Sequence, residues 1–148
     1  MAAETDEERR KEFTPLVARS VLWATALGAL MIFFLSRWIV VLLYSTTFLP
    51  AVGALQGLLI GIVALGAGRV LCNDIAGRDR PILNVYTGTA AVVANVILNL
   101  VLVPRFRIAG AAWASMVSYT VSFLGGLFFY CGLSGNPWSK VVLPQRSD

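Results

Sequence analysis

The chain has 148 residues, of which 57% are apolar and 14% are charged. A soluble domain has about 45–50% apolar and about 25% charged residues, so this chain has too few polar side chains to cover a globular surface in water. Five of the eight carboxylates lie in the first twelve residues: Glu4, Asp6, Glu7, Glu8 and Glu12. The sequence therefore predicts an integral membrane protein.

The composition also excludes several kinds of site. The chain contains no histidine, so it cannot build a His-ligated metal site or a nucleophile pair in which histidine is the base. Its two cysteines, Cys72 and Cys131, form neither a CxxC unit nor a disulfide framework. The net charge of +4 arises beside apolar segments, which suits phospholipid headgroups rather than nucleic acid. We therefore expect contact with membrane lipids, no metal ion and no nucleic-acid partner.

The first segment, residues 1–14, is charged and differs from the rest of the chain. Thr5 and Glu8 have the spacing of a capping box, and Asp6 and Arg10 form an i,i+4 pair. These features predict a short, charged helix that lies at the membrane surface. The segment is not a signal peptide, because it is acidic and the apolar run behind it is too long.

Four segments follow that are long and apolar enough to cross a bilayer, which takes about 20 residues. They cover residues 16–43, 51–72, 82–103 and 108–132. Pro15, Pro50 and Pro81 stand where spans open, and Pro104 follows the third span and ends it. Because the connections are short, consecutive helices are expected to be antiparallel neighbours. The prediction is an all-α integral membrane bundle of four antiparallel transmembrane helices with a short charged N-terminal interfacial helix.

The predicted domain limits are a tail at residues 1–14, a transmembrane domain at 15–133 and a second tail at 134–148. Basic residues predict the orientation, because Lys and Arg concentrate in cytoplasmic loops. Nine lie on the side of both termini: Arg9, Arg10, Lys11, Arg19, Arg69, Arg78, Arg80, Lys140 and Arg146. Three lie on the other side: Arg37, Arg105 and Arg107. This asymmetry places both termini in the cytoplasm.

Small residues line two of the spans. Gly53, Gly57 and Gly61 form a G-xxx-G-xxx-G ridge in the second span, and the fourth span carries small residues such as Ser115 and Ser118. In lipid, small residues let helix backbones approach closely. Two interpretations stay open: a surface for static helix packing, or a sliding surface in a transporter that rocks between two states.

The third span has a polar face. Asn84, Gly88, Ala91, Asn95 and Asn99 recur at spacings of 4, 3, 4 and 4, which places them on one side of a helix. An amide in hydrocarbon is costly unless it is paired, so Asn95 and Asn99 are expected to face another helix or a wet cavity. They are candidate substrate-binding residues, and the alternative is an interhelical hydrogen bond.

Arg37 and Arg69 are the other candidate substrate-binding residues. Arg37 lies within the first span, and Arg69 lies near the end of the second. Each can point into a cavity and meet an anionic group such as a phosphate, or can snorkel to the interface. No Asp or Glu falls within the four segments, since Asp74 lies just beyond the second. Proton-coupled carriers use a carboxylate within the membrane, so the sequence disfavours a homodimeric, proton-driven drug exporter.

A longer pattern lies where the third span meets the fourth. Leu98-Asn99-Leu100 is followed by Val103-Pro104-Arg105-Phe106 and then by Ile108-Ala109-Gly110-Ala111-Ala112. This pattern resembles the C-terminal half of polysaccharide flippases, the O-antigen and exopolysaccharide transporters of the superfamily that also contains multidrug exporters. Arg107 stands where that family commonly has glycine, so the turn needs another conformation. The similarity runs from Glu8 to the C-terminus, and the four spans resemble helices nine to twelve of a flippase.

The resemblance implies passage of a lipid-linked oligosaccharide, on an undecaprenyl diphosphate carrier, from the cytoplasmic to the outer leaflet of a bacterial cell membrane. It implies no covalent chemistry, so the protein would not be an enzyme and would need no cofactor. The chain matches one lobe only, which implies a truncated or split product that works with a complementary half or as a homo-oligomer. The alternative is a small structural or assembly membrane protein, a packed four-helix bundle with no transport activity of its own. The sequence identifies neither the sugar nor the coupling ion.

Overall fold

A computed structural model describes the backbone of residues 2–142 and the side chains of residue 9 and residues 11–142. The described chain is helical throughout, with short connections. The helices are α1 (Ala2–Tyr44), a 3₁₀ turn (Thr46–Phe48), α2 (Ala51–Gly77), α3 (Pro81–Phe106), α4 (Ile108–Ser134) and α5 (Trp138–Val142). Four segments are long and apolar enough to cross a membrane: Lys11–Tyr44, Ala51–Gly77, Pro81–Phe106 and Ile108–Ser134. The prediction of an all-helical protein with four candidate membrane spans is therefore confirmed.

The N-terminal part of α1 differs from the expected organisation. The sequence predicts a break at Pro15 between an interfacial helix and the first span, whereas α1 runs without interruption from Ala2 to Tyr44. Proline has no N–H and cannot donate to the carbonyl four residues earlier, which belongs to Lys11. The structure supplies a substitute donor, because Asn136 Nδ2 lies 2.8 Å from the Lys11 carbonyl oxygen. The predicted capping box at Thr5 and Glu8 lies outside the described side chains, as do residues 143–148 of the predicted C-terminal tail.

The centre of the bundle is formed by α2 and α4, which pack against each other along their lengths. A Cβ built on Gly61 would lie 2.8 Å from the Met116 Cα, and one built on Gly68 would lie 3.3 Å from the Phe123 Cα. Such distances are too short for an ordinary side chain, so these two glycines permit the close approach of the helices. The sequence predicts that α2 packs along its successor α3, but α2 contacts α3 far less than it contacts α4.

Helices α1 and α3 lie on the outside of the central α2–α4 pair, and each packs mainly against one of its two helices. Helix α1 packs on α2, where Gly66 faces Thr25, and α3 packs on α4, where Gly125 faces Thr87. The predicted ridge of the second span is only partly used. A Cβ built on Gly53 or Gly57 would meet nothing within 4 Å, so within the described chain neither glycine serves helix packing.

The α3–α4 connection is a tight turn at Arg107. Helix α3 continues two residues past Pro104, where the sequence predicts its end, and stops at Phe106. Arg107 has φ 51° and ψ −124°, a conformation typical of the first central residue of a type II′ turn and dominated there by glycine. The start of α4 then folds back so closely that a Cβ on Gly110 would overlap the Leu102 carbonyl. The glycine of the GAA motif is therefore required by backbone contact between the two helices.

Candidate functional site

Asn95 and Asn99, two of the four predicted site residues, lie together on α3. Asn99 Nδ2 is 2.9 Å from both the carbonyl oxygen and the Oδ1 of Asn95. Both side chains are half-buried. The sequence left two roles open for these residues, an interhelical hydrogen bond or a substrate contact. In the described structure the Asn99 amide N–H groups are instead bonded to Asn95, within the same helix.

Asn84 makes the interhelical amide bond of this polar face. Its Nδ2 donates to the Cys72 carbonyl of α2 over 2.7 Å, which joins α2 to the first turns of α3. Thr87 on the next turn donates to the Asn84 carbonyl over 3.0 Å. The Asn84 Oδ1 is buried and has no hydrogen-bond partner among the described residues. A buried amide oxygen without a donor costs about 1–3 kcal/mol, so Asn84 has an unused acceptor at the contact of α2 with α3.

A cavity of about 300 Å³ with a mixed polar and apolar lining lies where α2, α3 and α4 meet, and Asn84 is one of its lining residues. Four of its lining residues are apolar or small, namely Leu65, Gly68, Cys72 and Gly88. The other five are polar or charged, namely Arg69, Asn73, Asn84, Thr87 and Ser122. Arg69, the third predicted site residue, contributes the single formal charge of this lining. The cavity therefore combines a guanidinium donor with amide and hydroxyl groups, a set that suits an anion bearing hydroxyl groups.

Arg37, the fourth predicted site residue, lies elsewhere. It is exposed on α1, next to the buried Ser36. Ser36 accepts a hydrogen bond from Gln56 Nε2 over 3.1 Å, which fixes this level of α1 near the start of α2. Thirteen residues of α2 separate Gln56 from Arg69, about 20 Å at 1.5 Å per residue. Arg37 and Arg69 therefore do not share a site within this chain.

A buried ion pair that the sequence analysis missed lies at the end of α2. Asp74 Oδ2 is 2.6 Å from Arg78 Nε, and the side chains are 5% and 9% exposed respectively. Thr14 of α1 donates to Asp74 Oδ1 over 2.8 Å, so the carboxylate also joins two helices. The i,i+4 spacing of Asp74 and Arg78 is the signal that predicts the pair.

Asp74 lies within the helix α2 rather than in the connection that follows it. The sequence analysis placed this carboxylate just beyond the second span, but α2 continues to Gly77 and the candidate membrane segment includes Asp74. Asp74 thus lies on the last turns of a 27-residue helix, which at about 40 Å is longer than the hydrocarbon core of about 30 Å. Among the described residues, no group of three or more Cys, Asp or Glu residues is placed to hold a metal ion.

Comparison with known proteins gives one distant similarity. No protein-family model and no solved structure matches the sequence. An uncharacterized membrane protein of Methanocaldococcus jannaschii is 28% identical over 110 residues, which cover 74% of this chain and 22% of that protein. The matched part of the chain thus spans about a fifth of its relative's length. Together with the four candidate spans, this similarity identifies the chain as a multi-pass membrane protein.

Proposed function

We propose that the chain is part of a flippase that moves a lipid-linked oligosaccharide across the cytoplasmic membrane of a bacterium for polysaccharide biosynthesis. The observation that carries this proposal is the Arg69 cavity between α2, α3 and α4. A charged side chain within membrane helices is costly and is a functional candidate by default. The proposed substrate is an oligosaccharide carried on undecaprenyl diphosphate.

The chemistry of the cavity fits the diphosphate end of such a substrate. The Arg69 guanidinium is a planar donor that pairs well with phosphate oxygens. Asn84 Oδ1 lacks a donor and can accept a hydrogen bond from a sugar hydroxyl. Both groups lie near the end of the bundle that holds the α2–α3 connection, and the excess of basic residues at this end supports a cytoplasmic position for it. We propose both termini at that side, in a bundle of four antiparallel membrane helices.

The proposal includes a partner for the chain, either a complementary half or further copies. The matched relative is several times longer than the match, since only 22% of it is covered. The outer helices also leave large apolar side chains exposed, for example Phe34 and Leu42 on α1 and Leu100 on α3. These faces can meet lipid or another helical unit. The chain performs no covalent chemistry in this proposal and is not an enzyme.

Binding of the diphosphate provides the test. The purified chain in nanodiscs is incubated with undecaprenyl diphosphate, and occupancy is read by native mass spectrometry. Losing a charge-assisted hydrogen bond costs about 1.5–3 kcal/mol, so Arg69→Gln should weaken binding roughly 10- to 100-fold. Arg105→Gln is the matched control, since Arg105 is an exposed arginine near the other end of the bundle. Equal binding by the Arg69→Gln variant and the native chain would exclude the cavity as the diphosphate site.

A second candidate is a structural or assembly membrane protein, and the Asn95–Asn99 hydrogen bonds favour it. These amides bond to each other rather than facing the cavity that contains Arg69. The double variant Asn95→Leu/Asn99→Leu in the native host separates the two candidates. A substrate-facing role predicts loss of surface polysaccharide at normal protein abundance. Unchanged export at normal abundance would assign the two asparagines to packing.

A further inference from the structure

A second cavity, distinct from the Arg69 cavity, lies between the start of α3, the end of α4 and α5. It measures about 570 Å³, and we name it the α4–α5 groove. Its lining is almost entirely apolar and includes Leu83, Leu124, Phe128, Gly132, Leu133 and Trp138. It shares no lining residue with the Arg69 cavity. A ligand in this groove must therefore be apolar over most of its length.

The groove is open because of a glycine and because α5 stands away from α3. A Cβ built on Gly132 would meet nothing within 4 Å, so the floor of the groove has room for more atoms. Phe128 and Trp138 are 75% and 62% exposed, which leaves their rings available to a neighbour. Tryptophan is enriched at the level of lipid headgroups, so Trp138 marks the end of the groove that lies nearest to the membrane surface.

A cation stands one turn beyond the groove. Arg80 immediately precedes α3, and its carbonyl oxygen accepts the Leu83 N–H over 3.2 Å, so Arg80 lies within one turn of a residue that lines the groove. The Arg80 side chain is exposed, and its guanidinium forms no hydrogen bond or ion pair with the residues whose side chains are described. Its guanidinium is thus available to a phosphate at the membrane surface while an apolar chain occupies the groove.

We propose that the α4–α5 groove binds one acyl chain of an anionic phospholipid, whose phosphate pairs with Arg80. Charge complementarity selects this occupant, because the groove is apolar and Arg80, within one turn of its lining, has no ion-pair partner among the described side chains. A bound lipid would fill space between α3 and α5 that no described side chain fills. The site is independent of the proposed transport function, since it uses neither Arg69 nor the cavity that contains it.

Native mass spectrometry of the delipidated chain tests the proposal with phosphatidylglycerol and phosphatidylcholine of identical acyl chains. Phosphatidylcholine carries the same phosphate but also a choline cation, which leaves the headgroup without net negative charge. The native chain should therefore bind phosphatidylglycerol about tenfold more tightly, as expected for the attraction of one arginine to an anionic lipid. Gly132→Trp should abolish binding of both lipids, because the indole occupies the groove. Gly53→Trp is the matched control and should bind like the native chain, since a Cβ at residue 53 also meets open space.

Arg80→Gln keeps the proposal testable if the Gly132→Trp variant fails to fold. It changes an exposed residue outside the helices and should remove the preference for phosphatidylglycerol while retaining binding of phosphatidylcholine. A preference unchanged by Arg80→Gln would overturn the headgroup contact, and retention of lipid by a folded Gly132→Trp variant would overturn the groove. A dimer that Gly132→Trp dissociates would assign the groove to a second copy of the chain and overturn the proposal. None of these outcomes depends on undecaprenyl diphosphate binding at Arg69.

Discussion

The side chain of Asn136 occupies the hydrogen-bonding position that Pro15 leaves empty in α1. Asn136 Nδ2 donates to the Lys11 carbonyl over 2.8 Å, and that carbonyl is the one an N–H at residue 15 would reach in an ordinary α-helix. Asn136 Nδ2 also lies 3.3 Å from the Tyr130 hydroxyl, and the Asn136 side chain is buried. The connection between α4 and α5 thus stabilises α1 across 125 residues of sequence.

This relationship predicts a coupling between residues 15 and 136. Asn136→Ala leaves the Lys11 carbonyl without its donor and should lower the free energy of unfolding by about 1–3 kcal/mol. In a Pro15→Ala background the cost should fall by about 1 kcal/mol, because the alanine N–H bonds the same carbonyl. The measurement is a double-mutant cycle from reversible unfolding in mixed detergent micelles. If Asn136→Ala lowers the free energy of unfolding equally with proline and with alanine at residue 15, the Asn136 amide does not replace the missing N–H of Pro15.

Arg107 provides a prediction in which a substitution stabilises the protein. A non-glycine residue at φ 51° and ψ −124° is strained, at a cost of about 1–3 kcal/mol. Arg107→Gly removes that strain but adds backbone entropy to the unfolded chain, about 0.5–1 kcal/mol. The net expectation is a gain of about 1 kcal/mol in the free energy of unfolding, within a range of about 0–2.5 kcal/mol. Arg105→Gly, two residues earlier and inside α3, should instead lose about 1 kcal/mol, so the two variants move in opposite directions.

The glycines of α2 should differ sharply in their tolerance of alanine. A Cβ at residue 61 would stand 2.8 Å from the Met116 Cα, whereas one at residue 57 would meet nothing within 4 Å. Gly61→Ala should therefore force α2 and α4 apart and cost about 1–3 kcal/mol. Gly57→Ala should be neutral or stabilise by up to about 1 kcal/mol, because alanine favours the helix. Similar losses for both variants in thermal unfolding would contradict the α2–α4 packing.

The sequence predicted where the membrane spans lie better than it predicted which helices pack against each other. The glycines of α2 show why. Crossing a bilayer requires about 20 apolar residues, a local property that any window of the chain reveals. Gly61 and Gly57 look equivalent locally, because each belongs to the same four-residue repeat. Only Gly61 meets Met116, which lies in a helix 55 residues further along the sequence. The spacing of small residues predicts a close contact but does not identify the partner helix.

At the candidate site, too, the sequence predicted which residues share a helix face but not which residues they contact on other helices. The spacing of Asn84, Asn95 and Asn99 predicted one polar face on α3. Whether each amide bonds within its helix or across to another depends on what stands opposite, and Asn84 alone of the three reaches another helix, at Cys72. The pairing of Asp74 with Arg78 was not predicted, because the end of α2 is polar and a hydropathy limit ended the second span at residue 72, before Asp74.

The Asp74–Arg78 pair gives the largest expected effect. Removing one partner of a buried ion pair costs about 3–5 kcal/mol, so Asp74→Asn should strongly lower the midpoint of thermal unfolding. Asp79→Asn, an exposed neighbour in the α2–α3 connection, should change it little. The double variant Asp74→Asn/Arg78→Gln should recover part of the loss, because neither charge of the pair is then left without the other. If the double variant loses as much as the sum of the two single variants, the two side chains do not act as a pair, and Asp74 stabilises the fold through Thr14 instead.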